Sequence, residues 1–445
     1  MMKLREQRRN VRLDDPGGED NPIRFELFSN ERLAQHAVSL AKAQKARILP
    51  EGLKLMPRVR ENSRVLFEAY KAIGKEAREH RAITPAAEWL LDNFHVIEEQ
   101  INDINLYLPE KFYKQLPKLT DGFLAGYPRV YGIAWALVAH TDSRFSPEQL
   151  TLFMRAYQEV QPLTIGELWA IPITLRIVMI ENLRRLALKI MRSQAGRRLA
   201  DEFIDQPDQP DFPTRSPVLP AASLRQAFVV QFVQRLHEPH PGTAPTLDFL
   251  NPWLEEQGVT LDEIVHREHA SQIAANLTVR NIITSMRAIS AFDWPQFVED
   301  VSLVDKCLRT HPTYSAMDFL TRDRYRHAIE DLAKRSPHSE VDIAYKVIDK
   351  IDRVGKESGA DKKVLEPGYY LIGAGRGEFE KEVGFRPTFS QKLLRAYVAN
   401  AAIAYLSSLA VCTLVLLALP LNAASEAGLG SLTIALIALV ALFPA

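Results

Sequence analysis

The C-terminal part of the chain is a long apolar run that is almost free of charge. Ala396–Ser425 contains 30 residues without a single Asp, Glu, Lys or Arg, and Glu426 is the only charged residue after Arg395. A helix that crosses a membrane needs about 20 mostly apolar residues. The sequence therefore predicts one complete transmembrane helix over Tyr397–Leu421.

A second apolar run follows after a short turn-rich loop at Asn422–Gly430 and continues to the end of the sequence at Ala445. Leu429–Ala445 is 17 residues long, which is the lower limit for a helix that crosses a bilayer. We therefore expect residues 396–445 to hold one complete and one truncated transmembrane helix.

The cations before the first apolar run predict its orientation. Arg386, Lys392 and Arg395 precede it, whereas the loop after it carries only Glu426. Positively charged loops stay in the cytoplasm, so we expect residues 1–395 to be cytoplasmic. The charged N-terminus has no apolar segment behind it and does not resemble a secretory signal peptide.

The remaining residues are polar and balanced in charge. The chain has 55 Lys and Arg against 55 Asp and Glu, so it lacks the basic excess that is typical of nucleic-acid-binding proteins. Capping boxes recur, in which Ser or Thr is followed three residues later by an acidic or amide residue, as at Thr164, Thr260 and Ser339. Because strand and hairpin signals are weak, the sequence predicts an all-α body.

Apolar periodicity and caps predict seven helices. They are Val59–Ile83, Ala86–Tyr107, Thr164–Ser193, Ser223–Leu236, Leu261–Ile289, Trp294–Leu308 and Ser339–Arg353.

Composition divides the chain further. Residues 205–220 contain five prolines, which is typical of a stiff extended linker. We predict a disordered N-terminus (1–24), a first helical unit (25–204), this Pro-rich linker, a second helical unit (221–353), an irregular glycine-containing juxtamembrane connector (354–395) and the transmembrane segments.

Two histidine pairs have a spacing that metal ligands can have. Glu263 and His266 form a Glu-x-x-His motif with His269 one turn on, but a di-iron bundle needs a second copy, so a solvated helix face is the better interpretation. His237 and His240 lie in a proline-containing turn without a nearby cysteine, which favours a loop with incidental histidines.

Three other patterns are equally weak. Gly373, Gly375 and Gly377 do not have the spacing of a nucleotide-binding loop and favour a flexible linker. Asp103, Asp142 and Asp300 are isolated carboxylates with no partner in the sequence. The basic stripe Arg184–Arg198 indicates an exposed helix face, with contact to anionic lipid as the alternative. We assign no catalytic, cofactor-binding or metal-binding residue.

Longer stretches are more specific than these motifs. They are Gly126–Phe145, Tyr157–Arg176, Ile180–Ala187, Asn276–Arg287 and Ala328–Ser339. They resemble the N-terminal region of bacterial cyclic β-1,2-glucan synthases, and the resemblance extends over about Ala86–Arg353.

The resemblance implies a part of a very large, multi-pass protein of the bacterial inner membrane. In that family a cytoplasmic region leads into transmembrane helices, a glycosyltransferase domain that uses UDP-glucose, and a phosphorylase-like part. The product is an osmoregulatory periplasmic glucan. The implied partners are therefore the lipid bilayer and the downstream glycosyltransferase domain, with no nucleic acid.

The sequence departs from that pattern because it ends at Ala445 and contains no Gln-x-x-Arg-Trp motif. We expect a fragment of the synthase that binds no cofactor and is not catalytic by itself. The alternative is a free-standing, membrane-tethered helical regulatory or binding module. An enzyme acting within the helical body is the least supported hypothesis.

Overall fold

The fold was analysed in a computed structural model that describes residues 21–49, 52–204, 222–237, 260–356 and 361–428, together with 430, 432 and 436. The described residues are helical apart from one pair of two-residue strands and the loops. The prediction of an all-α protein is therefore confirmed. Contacts divide the chain into two compact units, Met1–Met317 and Asp318–Ala445.

The first unit contains thirteen helices and two strands among its described residues. In chain order they are α1 (Asn30–Ala43), β1 (Ala46–Arg47), α2 (Leu55–Arg78), α3 (Pro85–Asp92), α4 (Phe94–Tyr107), α5 (Glu110–Gln115), β2 (Lys118–Leu119), α6 (Arg129–His140), α7 (Pro147–Gln158), α8 (Ile165–Ile204), α9 (Ala222–His237), α10 (Leu261–Ala291), α11 (Trp294–Val301), α12 (Leu303–Leu308) and α13 (Pro312–Ala316). The strands pair antiparallel, with Ala46 opposite Leu119.

Helix α8 forms the centre of the first unit. It is 40 residues long and packs against α2, α4, α6, α9 and α10. Its side chains from Ile165 to Ile190 are almost all buried, on every side of the helix. A helix that is apolar all round belongs in a core, and the other helices of the unit supply that core.

The predicted division at 205–220 lies outside the described residues. The helices on both sides of it, α8 and α10, nevertheless share one compact unit, because the apolar face of α10 packs on α3, α4 and α8. The structure thus groups the helices differently from the predicted units.

Part of the predicted disordered N-terminus is bound to the first unit. Residues 1–20 lie outside the described residues, but Ile23 is buried, and its N–H donates to Asn182 Oδ1 at 2.7 Å. Arg185 donates to the carbonyl of Asn21 at 2.9 Å. Residues 21–24 are therefore ordered, because α8 supplies partners for their backbone.

The second unit is also helical. Its described elements are α14 (Phe319–Ala333), α15 (Glu340–Gly355), a 3-10 turn (Lys362–Leu365), α16 (Pro367–Leu371), α17 (Arg376–Glu382), α18 (Phe389–Ala399) and α19 (Ala401–Glu426). Tyr370, Leu371, Phe379 and Val383 are buried. The segment predicted as an irregular connector is therefore a set of short helices, and α16 packs on α14 and α15.

The apolar run begins its helix later than predicted. Residues 397–399 belong to α18, and α19 starts at Ala401 after a break at Asn400, whose backbone leaves the helical region (φ −118°, ψ 42°). Most of the predicted second transmembrane helix, Leu429–Ala445, lies outside the described residues.

Candidate functional site

A buried cluster of charges lies at the middle of α8. Glu181 is fully buried and accepts hydrogen bonds from Asn62 at 2.7 Å, from Arg185 at 3.0 Å and from Arg58. Burial alone raises the pKa of Glu181, but the hydrogen bond and charge of Arg58, with Arg185 and Arg184, hold it at about 2. The carboxylate is therefore a permanent anion that holds three arginines, and it is not poised to exchange protons at neutral pH.

A second buried ion pair joins α6 to the start of α8. Arg129 Nε donates to Glu167 Oε1 at 2.8 Å, and its Nη1 donates to Gln161 at 2.9 Å. Glu167 also accepts from the backbone N–H of Thr164 at 3.0 Å, which completes the predicted capping box. Arg129 is held by a carboxylate, an amide oxygen and the Pro162 carbonyl, so this group orients the start of α8.

The three isolated aspartates have different partners. Asp142 lies in a turn with positive φ (51°), accepts from Thr278 at 2.7 Å and faces Arg24. Asp103 lies 3.5 Å from Arg176. Asp300 accepts from Gln296 at 2.9 Å, on the exterior. The contacts of Asp142 and Asp103 tie one element to another, whereas the contact of Asp300 lies within α11. The three carboxylates do not share a partner that would make them an acid–base pair.

The histidine motif on α10 faces solvent. His266 and His269 are both exposed, and Glu263 caps its own helix through the backbone N–H of Thr260 at 3.4 Å. His240 and the side chain of His237 lie outside the described residues. Among the residues that the structure describes, no three His, Cys, Asp or Glu side chains are grouped to hold a metal ion.

The glycines of 373–377 are explained by packing. A Cβ at Gly375 would lie 2.4 Å from the ring of Tyr369, and one at Gly373 would lie 3.0 Å from the Tyr369 backbone. The chain folds back closely on this tyrosine, which only glycine permits. Neither the predicted flexible linker nor a phosphate loop describes this compact turn.

The predicted basic stripe is not an exposed face. Arg185 is buried and bound to Glu181, and the side chain of Arg184 is 14% exposed. Of the other stripe members, Arg197 lies 3.9 Å from the buried Glu268, and Arg198 is exposed. Sequence reasoning missed the cluster because it placed these charges on a solvent face. The apolar residues on all sides of α8 were the signal that could have located them in the core.

The surface of the first unit has an open groove of about 340 Å³ between α3 and α10. It is lined by Glu88, Trp89, Asp92, Asn93 and Arg287, and Arg287 donates to Asn93 Oδ1 at 2.6 Å. The groove is shallow and its charged side chains are solvated, so nothing in its geometry indicates a particular ligand.

The strongest functional feature is therefore α19. Ala401–Ala423 is 23 residues long with a mean hydropathy of 2.3, and 6% of its most apolar window is buried by the rest of the chain. By length and composition this helix can cross a membrane. It is the single helix of that kind among the described residues.

The comparison with known proteins points to one enzyme. The chain is 35% identical over 385 residues to the cyclic beta-(1,2)-glucan synthase NdvB of Rhizobium meliloti (strain 1021). The matched region is 85% of this chain and 14% of the relative's length. No family model matches the sequence. The resemblance inferred from the five sequence stretches is thus confirmed, and it shows homology to a part of that synthase.

Proposed function

We propose that this chain is the cytoplasmic helical body and the membrane-entering segment of a cyclic β-1,2-glucan synthase. In this proposal the glucosyl transfer from UDP-glucose takes place in another part of the synthase. The chain itself supplies no catalytic group. It fixes the following glycosyltransferase domain at the cytoplasmic face of the inner membrane.

The observation that carries the proposal is the extent of the similarity. The matched region covers 85% of the chain, so it includes most of the helical body and not just an apolar segment. Apolar helices of unrelated proteins resemble one another in composition alone, whereas the body contains charged and aromatic residues in a particular order. The order of helical body followed by α19 agrees with a segment that leads into a membrane.

The structural role of the body is supported by its buried carboxylates. Glu167 and Glu181 are fully buried, and each accepts hydrogen bonds from an arginine of another helix. Such charges are bound to one another inside the fold and do not face a substrate, and the loss of one partner would destabilise the helix packing. The orientation is supported by Arg386, Lys392 and Arg395 before α19, which favour a cytoplasmic body.

A chimera tests the proposal. This chain would replace the matched segment of the Rhizobium meliloti synthase, and the chimera would be expressed in a strain that lacks the synthase. We expect cyclic β-1,2-glucan to be restored, and membranes to incorporate glucose from radiolabelled UDP-glucose. The matched control is the same synthase without the segment, at an equal level in membranes by immunoblot.

Three outcomes contradict the proposal. A chimera that reaches the membrane at the normal level and makes no glucan shows that the chain does not serve in this synthase. Normal glucan production by the synthase that lacks the segment shows that the segment has no structural role in synthesis. Incorporation of glucose by this chain alone would contradict its non-catalytic assignment.

A further inference from the structure

Helix α18, which precedes α19, has two unlike faces. Its sequence FSQKLLRAYVA places Gln391, Lys392 and Arg395 on one side. The other side carries five large apolar residues whose exposed fractions range from 46% to 82%: Phe389, Leu393, Leu394, Tyr397 and Val398. An exposed apolar surface of this kind marks a place of contact with another apolar phase.

Contacts within the second unit fix the rotation of α18 about its axis. Arg395 Nη2 donates to Glu380 Oε1 at 2.8 Å, and Arg376 donates to the same carboxylate at 3.0 Å. Burial tends to raise the pKa of Glu380, but the hydrogen bonds from Arg395 and Arg376 lower it below its usual value, so the anion persists.

The polar face is held at a second point, where Arg335, two residues after the end of α14, donates to Gln391. Gln391 also completes a capping box with Thr388, which starts the helix firmly. Because the polar face is bound to the unit, the apolar row has to face outwards. The arrangement is the reverse of an ordinary surface helix, whose apolar face is the one that packs on its own protein.

The position of α18 along the chain indicates what covers its exposed apolar row. A single residue, Asn400, separates the end of α18 from the start of α19. Two consecutive Cα–Cα steps span at most about 7.6 Å. If α19 crosses the bilayer, the end of α18 therefore lies at the bilayer surface and has no freedom to leave it.

We propose that α18 lies flat in the headgroup region of the cytoplasmic leaflet, with its apolar row against the lipid acyl chains. This rests on the proposed membrane crossing of α19. Amphipathic helices in this position bury their apolar face by about 5–10 Å. Tyr397 supplies an aromatic ring of the kind enriched at this depth, and Phe389 belongs to the residue types that form the apolar face of such helices. Lys392 is an exposed cation for lipid phosphates.

The test places a fluorescent probe at single cysteines of the full chain. Cys307 and Cys412 are first replaced by Cys307→Ser and Cys412→Ala, and reporters are introduced as Leu394→Cys (α18), Leu409→Cys (α19) and Asp349→Cys. Asp349, with its side chain 68% exposed, is the aqueous reference. The labelled chains are reconstituted in vesicles of phosphatidylethanolamine and phosphatidylglycerol, with a nitroxide on a shallow acyl carbon. Iodide is the aqueous quencher.

We expect the fluorescence emission of the Leu394 reporter to be shifted to the blue, to be quenched by the lipid nitroxide and to be protected from iodide. The emission of the Leu409 reporter should behave in the same way. The Asp349 reporter should show the opposite. Combining Phe389→Glu with Leu393→Glu should make the fluorescence of the Leu394 reporter accessible to quenching by iodide. The matched pair Phe389→Ala with Leu393→Ala should increase this quenching much less.

Three other results overturn the inference. If the Leu409 reporter is in lipid and the Leu394 reporter is quenched by iodide, α18 is in water although α19 crosses the membrane. If the Leu394 reporter is shielded from both quenchers, protein covers the apolar row. If neither reporter meets lipid, the membrane crossing fails and the inference fails with it.

Discussion

Arg58 and Glu181 are 123 residues apart in the sequence and bind each other through two hydrogen bonds of 2.8 and 2.7 Å. This bidentate pair ties α2 to α8 inside the first unit, and the planar guanidinium matches the carboxylate in geometry as well as charge. Because Asn62 and Arg185 also donate to Glu181, the carboxylate joins the side chains of Arg58, Asn62 and Arg185 inside the fold.

The substitution Glu181→Gln should destabilise the first unit strongly. It keeps the volume of the side chain but leaves the buried Arg185 and the largely buried Arg58 without their counter-charge. Removing one partner of a buried ion pair costs about 3–5 kcal/mol. Tryptophan fluorescence during denaturation is a suitable measurement, since all five tryptophans precede residue 317.

The matched control is Glu202→Gln at the end of the same helix. Glu202 forms an exposed pair with Arg198, with side chains 57% and 53% exposed, and such pairs contribute about 0–1 kcal/mol. Equal unfolding midpoints for the Glu181→Gln and Glu202→Gln variants would contradict the structural role of the buried cluster.

The stability of the first unit should fall in acid because of Glu181. The pKa of this carboxyl is about 2 in the folded chain, against an ordinary value of 4.5. Its contribution to the free energy of unfolding is therefore present above pH 4.5 and is lost as the pH falls from 4.5 towards about 2. Unfolding midpoints measured across this range should decline less steeply in Glu181→Gln than in the unmodified chain. Parallel curves would show that Glu181 does not have the lowered pKa.

Replacement by alanine should have opposite effects on the stability of the second unit at two of its glycines, Gly368 and Gly377. A Cβ at Gly368 would lie 2.2 Å from the hydroxyl of Tyr325, a buried and rigid side chain. Gly368→Ala should therefore destabilise the unit by about 1–3 kcal/mol through overpacking. Hydrogen exchange of the amides in α14 and α16 measures this, and the variant should exchange faster.

Gly377→Ala is the control for that comparison. Gly377 lies in α17, and outside its chain neighbours and its own helix backbone no atom of the described residues lies within 4 Å of the Cβ that alanine would add. Alanine is favoured over glycine in a helix by about 0.5–1 kcal/mol, so exchange should stay equal or become slower. Faster exchange in Gly377→Ala than in Gly368→Ala would show that the close approach to Tyr325 is not the cause.

Charges in the middle of α19 should weaken its insertion. Arginine at the centre of a membrane helix costs about 2.5–3.5 kcal/mol, so Leu409→Arg combined with Leu414→Arg should lower the fraction of the chain that stays in membranes after an alkaline wash. Leu409→Ala with Leu414→Ala, which keeps the helix uncharged, should change that fraction little. If the arginine and alanine pairs behave alike, α19 does not cross the bilayer.

Sequence patterns predicted helices best where local chemistry decides their ends. The boxes at Thr260 and Ser339 are present as expected, and α10 and α15 begin directly after them. These ends are set by a side chain and a backbone group three residues apart, so no tertiary contact has to be known in advance.

Breaks within long apolar segments were harder to predict. The predicted helix Ala86–Tyr107 is two helices that meet at Asn93, whose side chain donates to the carbonyl of Trp89 at 2.9 Å. The predicted helix Trp294–Leu308 likewise divides at Ser302, which caps α12. Short polar residues can end a helix or continue it, and the packing of the flanking segments decides which occurs.

The buried cluster of α8 could not be located from spacing alone. Arg185 and Glu181 are four residues apart, which is equally consistent with an exposed helical pair. Their burial depends on α2, which supplies Arg58 and Asn62 from a distant part of the sequence. The apolar segment of α19 needed no such information, because its length and lack of charge are local properties.

The charges inside α8 also distinguish it from a helix that can cross a membrane. Ile173–Ile190 is nearly as apolar as a membrane span except for Arg176, Glu181, Arg184, Arg185 and Lys189. On an insertion scale, charged residues such as arginine near the centre of a helix oppose entry into lipid by about 2.5–3.5 kcal/mol each. Glu181, which binds α2 to α8 after folding, thus also opposes the entry of α8 into lipid, whereas the Ala401–Ser425 part of α19 contains no charged side chain.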